Sequence, residues 1–339
     1  MKEASIRSDK MMDESLAMHE EDVAWIRARA AEFVEVACPA CEQAARSFEF
    51  ERQGFRFNRC QGCQTLYISP RPTAELLGEY YARSKNINYY NDVIFPASEE
   101  ARRAHIFAPR AARVVELARR HGAATDASTA TLVDVGAGFG TFCEEVVRTG
   151  AFRRVVAVEP SPTLAATCRG KGLEVVEQVI EEAQLEGVSV ITNFELVEHL
   201  FSPRDFLVGC ASALPVGGLL IITTPNIRGF DLAVLGKLSD NVLGPNHINY
   251  FHPASLALLL GRAGFEVVEV ATPGKLDAEL VRKKILSGQF DVSNQPFLRQ
   301  ILVDDWDSAG AAFQDFLAEH KLSSHLWVVA RKVAGPEGR

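Results

Sequence analysis

The chain has 339 residues, of which 47% are hydrophobic and 24% charged, so it can form one large domain with a smaller one attached and bury a sizeable core. Its formal net charge of −8 argues against a broad nucleic-acid interface, because neutralising phosphates requires an excess of Lys and Arg. No apolar run approaches the roughly 18 residues that span a bilayer, and the N-terminus has no apolar signal-peptide region, so we expect a cytoplasmic protein without membrane segments.

Residues 1–36 predict a polar tail followed by a helix that docks on the rest of the chain, because apolar residues from Val23 to Phe33 recur at helical spacing. Residues 37–72 hold two Cys-x-x-Cys pairs, and Phe residues alternate between them as in a β-ribbon. The 18 residues between the pairs are typical of a closed structural zinc site, whose predicted ligands are Cys38, Cys41, Cys60 and Cys63. Arginines and glutamates nearly balance in this ribbon, which favours a lid or substrate platform over a nucleic-acid clamp.

The pattern changes twice in the rest of the chain. Residues 73–130 predict a helical linker, including a helix from about Glu99 to His121 whose arginines we expect to face solvent rather than bind an anion. Residues 131–335 alternate short apolar strands with helices, which predicts an α/β fold with a parallel sheet covered on both faces. Within this region, residues 271–323 predict a helical insertion before the last strand.

A glycine-rich turn follows the first strand of the α/β region. Gly136, Gly138 and Gly140 stand between that strand and the next helix, where glycine lets the backbone turn tightly and approach a ligand closely. The next strand ends at Glu159, whose carboxylate can accept both hydroxyls of a ribose. The turn and the acid together are more specific than either alone, and they predict a site for a nucleoside cofactor.

This combination resembles the class I S-adenosylmethionine-dependent methyltransferases, from about Thr131 to Val270 and in the final strand. The resemblance lies in DVGAGFG at 134–140, VEHL at 197–200 and PVGGLLIITTPN at 215–226. It implies a Rossmann-like seven-stranded sheet that binds S-adenosylmethionine at the glycine turn, with Ile180 in the segment that flanks the adenine. The implied cofactor contacts are Asp134, Gly136, Gly138, Gly140, Glu159, Ile180 and Asn193.

A second site is predicted beyond the strand that ends near Asn193. If a helix starts there, Glu195, Glu198 and His199 lie on one face of it. Two carboxylates and one imidazole suit Mg²⁺, Mn²⁺ or Fe²⁺ better than zinc, and His247, in the loop after the following strand, is a fourth candidate ligand. The pattern resembles metal-dependent O-methyltransferases, notably the small-RNA 2′-O-methyltransferases, and the ubiquinone-pathway O-methyltransferases share its Glu-x-x-Glu-His part. Without a metal, His199 or His247 becomes the candidate general base.

The sequence therefore predicts a methyltransferase that acts on a hydroxyl of a sugar, a glycan or another small polyol, with or without help from a divalent ion. One alternative is an RNA methyltransferase that grips RNA with the zinc ribbon, and another is a C- or N-methyltransferase acting on a sugar nucleotide. A third is a binding module that keeps the cofactor fold without activity. We expect a small-molecule or glycan acceptor as the partner, and neither nucleic acid nor membrane.

Overall fold

The computed structural model describes residues 9–123 and 128–333 of the chain. The predicted tail before Asp9, and residues 334 and 335 of the predicted α/β region, lie outside the described residues. Within the two described ranges, every helix is too short or too polar to cross a membrane.

The N-terminal part of the chain consists of helices and three short strands. These elements are α1 (Asp9–Arg27), β1 (Arg46–Arg52), β2 (Phe55–Cys60), β3 (Leu66–Ile68), α2 (Ala74–Arg83), α3 (Lys85–Tyr89), α4 (Phe95–Arg102) and α5 (Ala108–Arg120). The helix predicted from the apolar spacing of Val23 to Phe33 is wrong at its C-terminal end, because α1 ends at Arg27 and a 3-10 turn follows at Ala30–Glu32. The predicted helix from Glu99 to His121 is helical throughout, but a π-helical turn at Arg103–Phe107 interrupts it.

Strands and helices then alternate as predicted, except that β7 follows β6 without a helix between them. They are β4 (Thr131–Val135), α6 (Thr141–Thr149), β5 (Arg154–Val158), α7 (Pro162–Gly170), β6 (Glu174–Val176), β7 (Val188–Phe194), α8 (Pro203–Ala213) and β8 (Leu219–Pro225). Strands β4 and β8 are buried along their whole length, because their sequences TLVDV and LLIITTP offer apolar side chains to both faces of the sheet.

The C-terminal part supplies the last strands of the sheet and a group of helices. Its elements are α9 (Phe230–Leu235), β9 (Asn249–Tyr250), α10 (Pro253–Arg262), β10 (Phe265–Ala271), α11 (Asp277–Leu286), α12 (Pro296–Arg299), α13 (Trp306–Glu319) and β11 (His325–Lys332). The helices α11 to α13 lie inside the predicted insertion at residues 271–323 and precede the last strand.

The seven-stranded sheet has the order β10-β11-β8-β7-β4-β5-β6. Strand β4 pairs in parallel with both β5 and β7, and the pairs β5/β6 and β7/β8 are also parallel. The chain thus runs outward from β4 to β6 and then returns to the other side of β4. Such a reversal in a parallel sheet leaves a crevice at the carboxyl ends of the two central strands, where ligands bind. The predicted Rossmann-like α/β fold is confirmed.

The chain divides into two compact units. The first contains the chain up to Phe95, Thr224–Ser255 and Ala271–Trp327. The second contains Pro96–Thr223, Leu256–Val270 and the chain from Val328. The predicted module boundaries at residues 36, 72 and 130 stay predictions.

The first unit contains an antiparallel sheet in the order β1-β2-β3-β9. Its fourth strand comes from far along the chain, since Tyr67 pairs with Asn249 and Leu66 with Tyr250. A separate core joins α9 to the inserted helices around four buried residues, namely Leu235, Ala278, Val281 and Leu302.

Two glycines of this unit should respond to alanine in opposite ways. A Cβ at Gly229 would lie 2.2 Å from the Cα of Ser324, whereas Gly78 is exposed in the middle of α2 with nothing within 4 Å of its Cβ position. We expect Gly229→Ala to lower the free energy of unfolding by about 1–3 kcal/mol or more through overpacking. Gly78→Ala should raise it by about 0.5–1 kcal/mol. Denaturant unfolding of both variants beside the wild type measures this, and equal stabilities would contradict the packing at Gly229.

Candidate functional site

The turn between β4 and α6 has the backbone of a ligand-binding loop. Gly136, Gly138 and Gly140 have φ values of +76°, +56° and +70°, in the left-handed region that favours glycine. A Cβ at Gly136 would lie 2.9 Å from Leu196, and one at Gly140 would lie 2.5 Å from Leu173. At Gly138, by contrast, nothing lies within 4 Å of the Cβ position. The outer glycines are therefore required by protein packing, and the middle one borders open space.

Glu159 follows β5 and lies against this turn, as its predicted role requires. Its Oε2 accepts a hydrogen bond from the amide of Gly138 at 2.9 Å, and its Oε1 accepts one from the amide of Ser161 at 3.0 Å. Burial of the carboxyl raises the pKa of Glu159, although both amides oppose that shift. A hydrogen bond thus joins the acid directly to the middle glycine of the turn, at the carboxyl edge of the sheet.

Asp134 and Asn193 lie on the neighbouring central strands. The Oδ1 of Asp134 accepts a hydrogen bond from the hydroxyl of Thr192 at 2.7 Å, and burial raises the pKa of Asp134 to about 7. The Nδ2 of Asn193 donates to the carbonyl of Val135 at 3.1 Å. Its Oδ1 is fully enclosed and has no hydrogen-bond partner among the described residues. Because buried acceptors normally have partners, this oxygen suits a donor group of a bound ligand.

Ile180, the predicted adenine contact, follows β6 and is buried. It lines a cavity of about 430 Å³ against α8, together with Glu181, Val208 and Gly209. Its contact with adenine stays a prediction.

The expectation that the arginines between Glu99 and His121 face solvent is wrong for Arg110. The guanidinium of Arg110 lies 4.4 Å from the ring centre of Phe194, at the end of β7. Burial lowers the pKa of Arg110, and the carboxylates of Glu195 and Asp134 oppose that effect. A signal was present in the sequence, since Arg110 shares the helix face of the buried Val114 and Leu117. The chain therefore places a partly buried cation among the candidate site residues.

The predicted helix beginning near Asn193 is also wrong. Strand β7 continues to Phe194, which pairs with Thr223 of β8, and Glu195 then adopts a φ of +51°. A turn follows, in which the amide of His199 donates to the carbonyl of Leu196 at 2.9 Å. Pairing with β8 therefore extends the strand over residues that were predicted to begin a helix.

This turn separates the three residues that a helix would have aligned. The carboxylate of Glu195 accepts a hydrogen bond from the hydroxyl of Thr223 at 2.6 Å. Glu198 is fully buried, and its Oε1 lies 3.9 Å from the Nε2 of His199. Glu198 and His199 therefore form a close pair, whereas Glu195 contacts the neighbouring strand.

His247 lies in the loop before β9, in the first unit. Its Nδ1 is 2.8 Å from the carbonyl oxygen of Asn241. Since a carbonyl can only accept, Nδ1 carries the proton of the neutral ring and Nε2 carries the lone pair. This tautomer suits either a general base or a metal ligand acting through Nε2.

The four predicted zinc ligands converge in the first unit. The Sγ atoms of Cys38 and Cys63 are 3.4 Å apart, as are those of Cys41 and Cys60, and all four sulfurs lie within 4.8 Å of one another. Zinc–sulfur bonds of about 2.3 Å in a tetrahedron require sulfurs at similar separations. The donor set and its geometry fit one structural zinc ion.

In a comparison with known proteins, residues 103–270 match the model of the methyltransferase domain family. A ubiquinone biosynthesis O-methyltransferase from Maricaulis maris is 32% identical over 154 residues, which are 40% of this chain and 59% of that protein. A protein of the same description from Xanthomonas euvesicatoria is 32% identical over 157 residues, which are 42% of this chain and 65% of that protein. The chain thus spans about three fifths of the length of these relatives.

A solved structure of an S-adenosylmethionine-dependent methyltransferase from Clostridium acetobutylicum covers 73% of this chain and 97% of its own, with a TM-score of 0.45 and 10% identity.

The buried carboxyl of Asp134 predicts a pH-dependent stability. Its pKa is about 7 in the folded chain against an ordinary 3.8, so the folded state keeps a proton that the unfolded state has released. Between these values the free energy of unfolding falls as pH rises, and above about 7 the loss is complete. Asp134→Asn should therefore gain stability relative to the wild type from pH 4 to pH 7, measured by chemical unfolding. The exposed Asp315→Asn is the control, and a pH-independent difference for Asp134→Asn would contradict the shift.

Proposed function

We propose that residues 103–270, which match the methyltransferase domain family, form a class I S-adenosylmethionine-dependent methyltransferase domain, and that the protein methylates a hydroxyl oxygen of a small acceptor. The observation that carries the proposal is the open space at Gly138, bordered by the carboxylate of Glu159. The relatives named as O-methyltransferases support oxygen as the accepting atom.

The residues around the turn fit S-adenosylmethionine. Glu159 would accept the ribose hydroxyls, and the enclosed Oδ1 of Asn193 would accept a further donor of the nucleoside. Arg110 would supply the positive charge for the carboxylate of the methionine part, and Gly138 would let the backbone approach the ligand. The bound cofactor supplies an electrophilic methyl group on a sulfonium, and the protein's task is to align the acceptor oxygen with it and exclude water.

The acceptor hydroxyl must also lose its proton. We assign this step to Nε2 of His247, because the hydrogen bond from Nδ1 to Asn241 leaves the lone pair on Nε2. Glu198 and His199 are the residues that would hold a divalent ion if one lowers the pKa of the hydroxyl. The assignment of Glu195 and His247 to the same ion stays a prediction, and Glu195 is the weakest member because its carboxylate is engaged by Thr223.

Two acceptor classes follow from different observations. The sequence predicts a hydroxyl on a sugar, a glycan or a small polyol, while the names of the relatives favour a hydroxyl on a ubiquinone precursor. Both need the same cofactor site, so a panel of acceptors can separate them.

Replacing Glu159 should weaken cofactor binding. A charged group that accepts hydrogen bonds contributes about 1.5–3 kcal/mol, so Glu159→Ala should raise the dissociation constant for S-adenosylmethionine by about 10- to 100-fold. Isothermal titration calorimetry measures this, with the exposed Glu186→Ala as a matched control. Unchanged affinity in Glu159→Ala would show that the nucleoside binds elsewhere.

Transfer of a labelled methyl group identifies the acceptor and the role of the metal. Catechols, sugar nucleotides, polyols and RNA are offered to the protein, and we expect label on a hydroxyl of a small molecule. Cofactor binding without transfer to any of them would favour a binding module. Chelator is added while the zinc content is followed, since loss of the structural ion would otherwise imitate loss of a catalytic one. Activity that survives chelation, in both the wild type and Glu198→Gln, would leave His247 as a general base and remove the divalent ion.

A further inference from the structure

The loop that carries His247 is built onto the zinc ribbon. We call residues 239–252 the His247 loop, and this loop and the predicted zinc ribbon, residues 37–72, both belong to the first unit. The last part of the loop is the outer strand of the ribbon's own sheet, because β9 pairs with β3. The amide of Ile68 also donates to the carbonyl of Ile248 at 3.0 Å, one residue after His247.

Side chains from the ribbon side hold the loop along its length. The guanidinium of Arg52 donates to the carbonyl of Ser239 at the start of the loop. Gly244 packs so closely on the ring of Phe55 that a Cβ there would lie 2.6 Å from it. Near the end of the loop, Arg71 donates to the buried Oδ1 of Asn249 at 2.9 Å.

Tyr250 connects the ring of His247 to the sheet of the ribbon. The hydroxyl of Tyr250, a residue of β9, donates to the carbonyl of Asn241 at 3.2 Å and accepts from the amide of Leu243 at 3.1 Å. The same carbonyl of Asn241 accepts from Nδ1 of His247. Pairing of β9 with the ribbon therefore fixes the acceptor that sets the tautomer and orientation of the His247 ring.

His252 ties the end of the loop to a zinc ligand. Its Nε2 lies 2.8 Å from the backbone carbonyl of Cys63, and the residue is almost completely buried. Since the carbonyl only accepts, Nε2 donates, and the enclosed Nδ1 has no hydrogen-bond partner among the described residues. Burying a ring nitrogen without a partner costs free energy. Because Nδ1 has no partner among the described residues, the bond from Nε2 to Cys63 is the main polar contact of the ring.

We propose that the zinc ribbon holds the His247 loop in place, and that His252 is a positioning residue joining the zinc-bound knuckle to this loop. This inference rests on the proposed function of His247. It gives the ribbon a role in orienting the ring of His247 rather than in gripping RNA. Zinc loading should then control acceptor turnover while leaving the cofactor turn in the second unit unaffected.

The test compares His252→Leu, which removes the donor, with His252→Gln, whose amide nitrogen can replace Nε2. We expect His252→Leu to lower kcat/KM for the acceptor by about tenfold, in the range typical of groups that orient a metal ligand. The dissociation constant for S-adenosylmethionine should stay within about twofold, a change of only a few tenths of a kcal/mol. His252→Gln should recover most of the loss, and the exposed His320→Leu serves as a control.

Amide hydrogen exchange supplies a readout that does not depend on methyl transfer. Exchange of residues 241–252 should rise in His252→Leu, and also in the wild type when zinc is removed, while residues 132–142 stay protected. Unchanged exchange in the loop after zinc removal would overturn the proposal even if the enzyme is active. Faster exchange in a protein that transfers no methyl group would support the coupling and reject the proposed function instead. Equal loss of cofactor affinity and acceptor turnover in His252→Leu would indicate general destabilisation and overturn the positioning role.

Discussion

The left-handed backbone of the turn between β4 and α6 is the constraint on which the proposed cofactor site depends. Gly136 and Gly140 are pressed by Leu196 and Leu173, so their side-chain positions are filled by the protein itself. Gly138 lies between them with open space in front of it, and its amide donates to Glu159. The turn is thus fixed from both sides and tied to the end of β5 before any ligand binds. A ligand that enters such a site does not have to order the loop, which lowers the entropic cost of binding.

Buried polar groups gather where the central strands end, although burial of such groups normally destabilises a fold. Asp134 offsets part of this cost through Thr192, and Glu159 through two backbone amides. Arg110, on helix α5, carries a positive charge that partly balances the negative charges of Asp134 and Glu195. A group of partly compensated charges is costly in an empty site, but it interacts strongly with a charged ligand because little water screens it. This explains why the polar residues lie at this edge rather than along the strands.

The parts of the structure that depend on local sequence could be predicted, and the parts that depend on distant pairing could not. Local spacing in the sequence identifies the glycine turn, Glu159 and the four cysteines. Within each of these sites, the residues are close together in space because they come from short motifs at the ends of neighbouring elements. The helix after Asn193 was wrong because pairing of Phe194 with Thr223 extends the strand, and helical spacing carries no information about that partner. Arg110 was missed because charged residues on helices usually face solvent. Its helical spacing from the buried Val114 and Leu117 was a signal, but the aromatic partner at the end of β7 is visible only in the structure. Strand β9 has only two residues, too few for any periodicity to reveal it.

The shortness of β9 also bears on how the ribbon could influence chemistry. A two-residue strand has little stability of its own, so its position depends on the strand with which it pairs. That strand belongs to the predicted zinc ribbon, a module of fewer than about 40 residues, and modules of this size commonly depend on a metal site because they cannot build a sufficient hydrophobic core. A zinc ion with four thiolate ligands has no open position for a substrate. Under the proposed function of His247 it acts on the reaction through backbone geometry, because the pairing of β3 with β9 and the hydrogen bonds of Tyr250 connect the ribbon to the ring of His247.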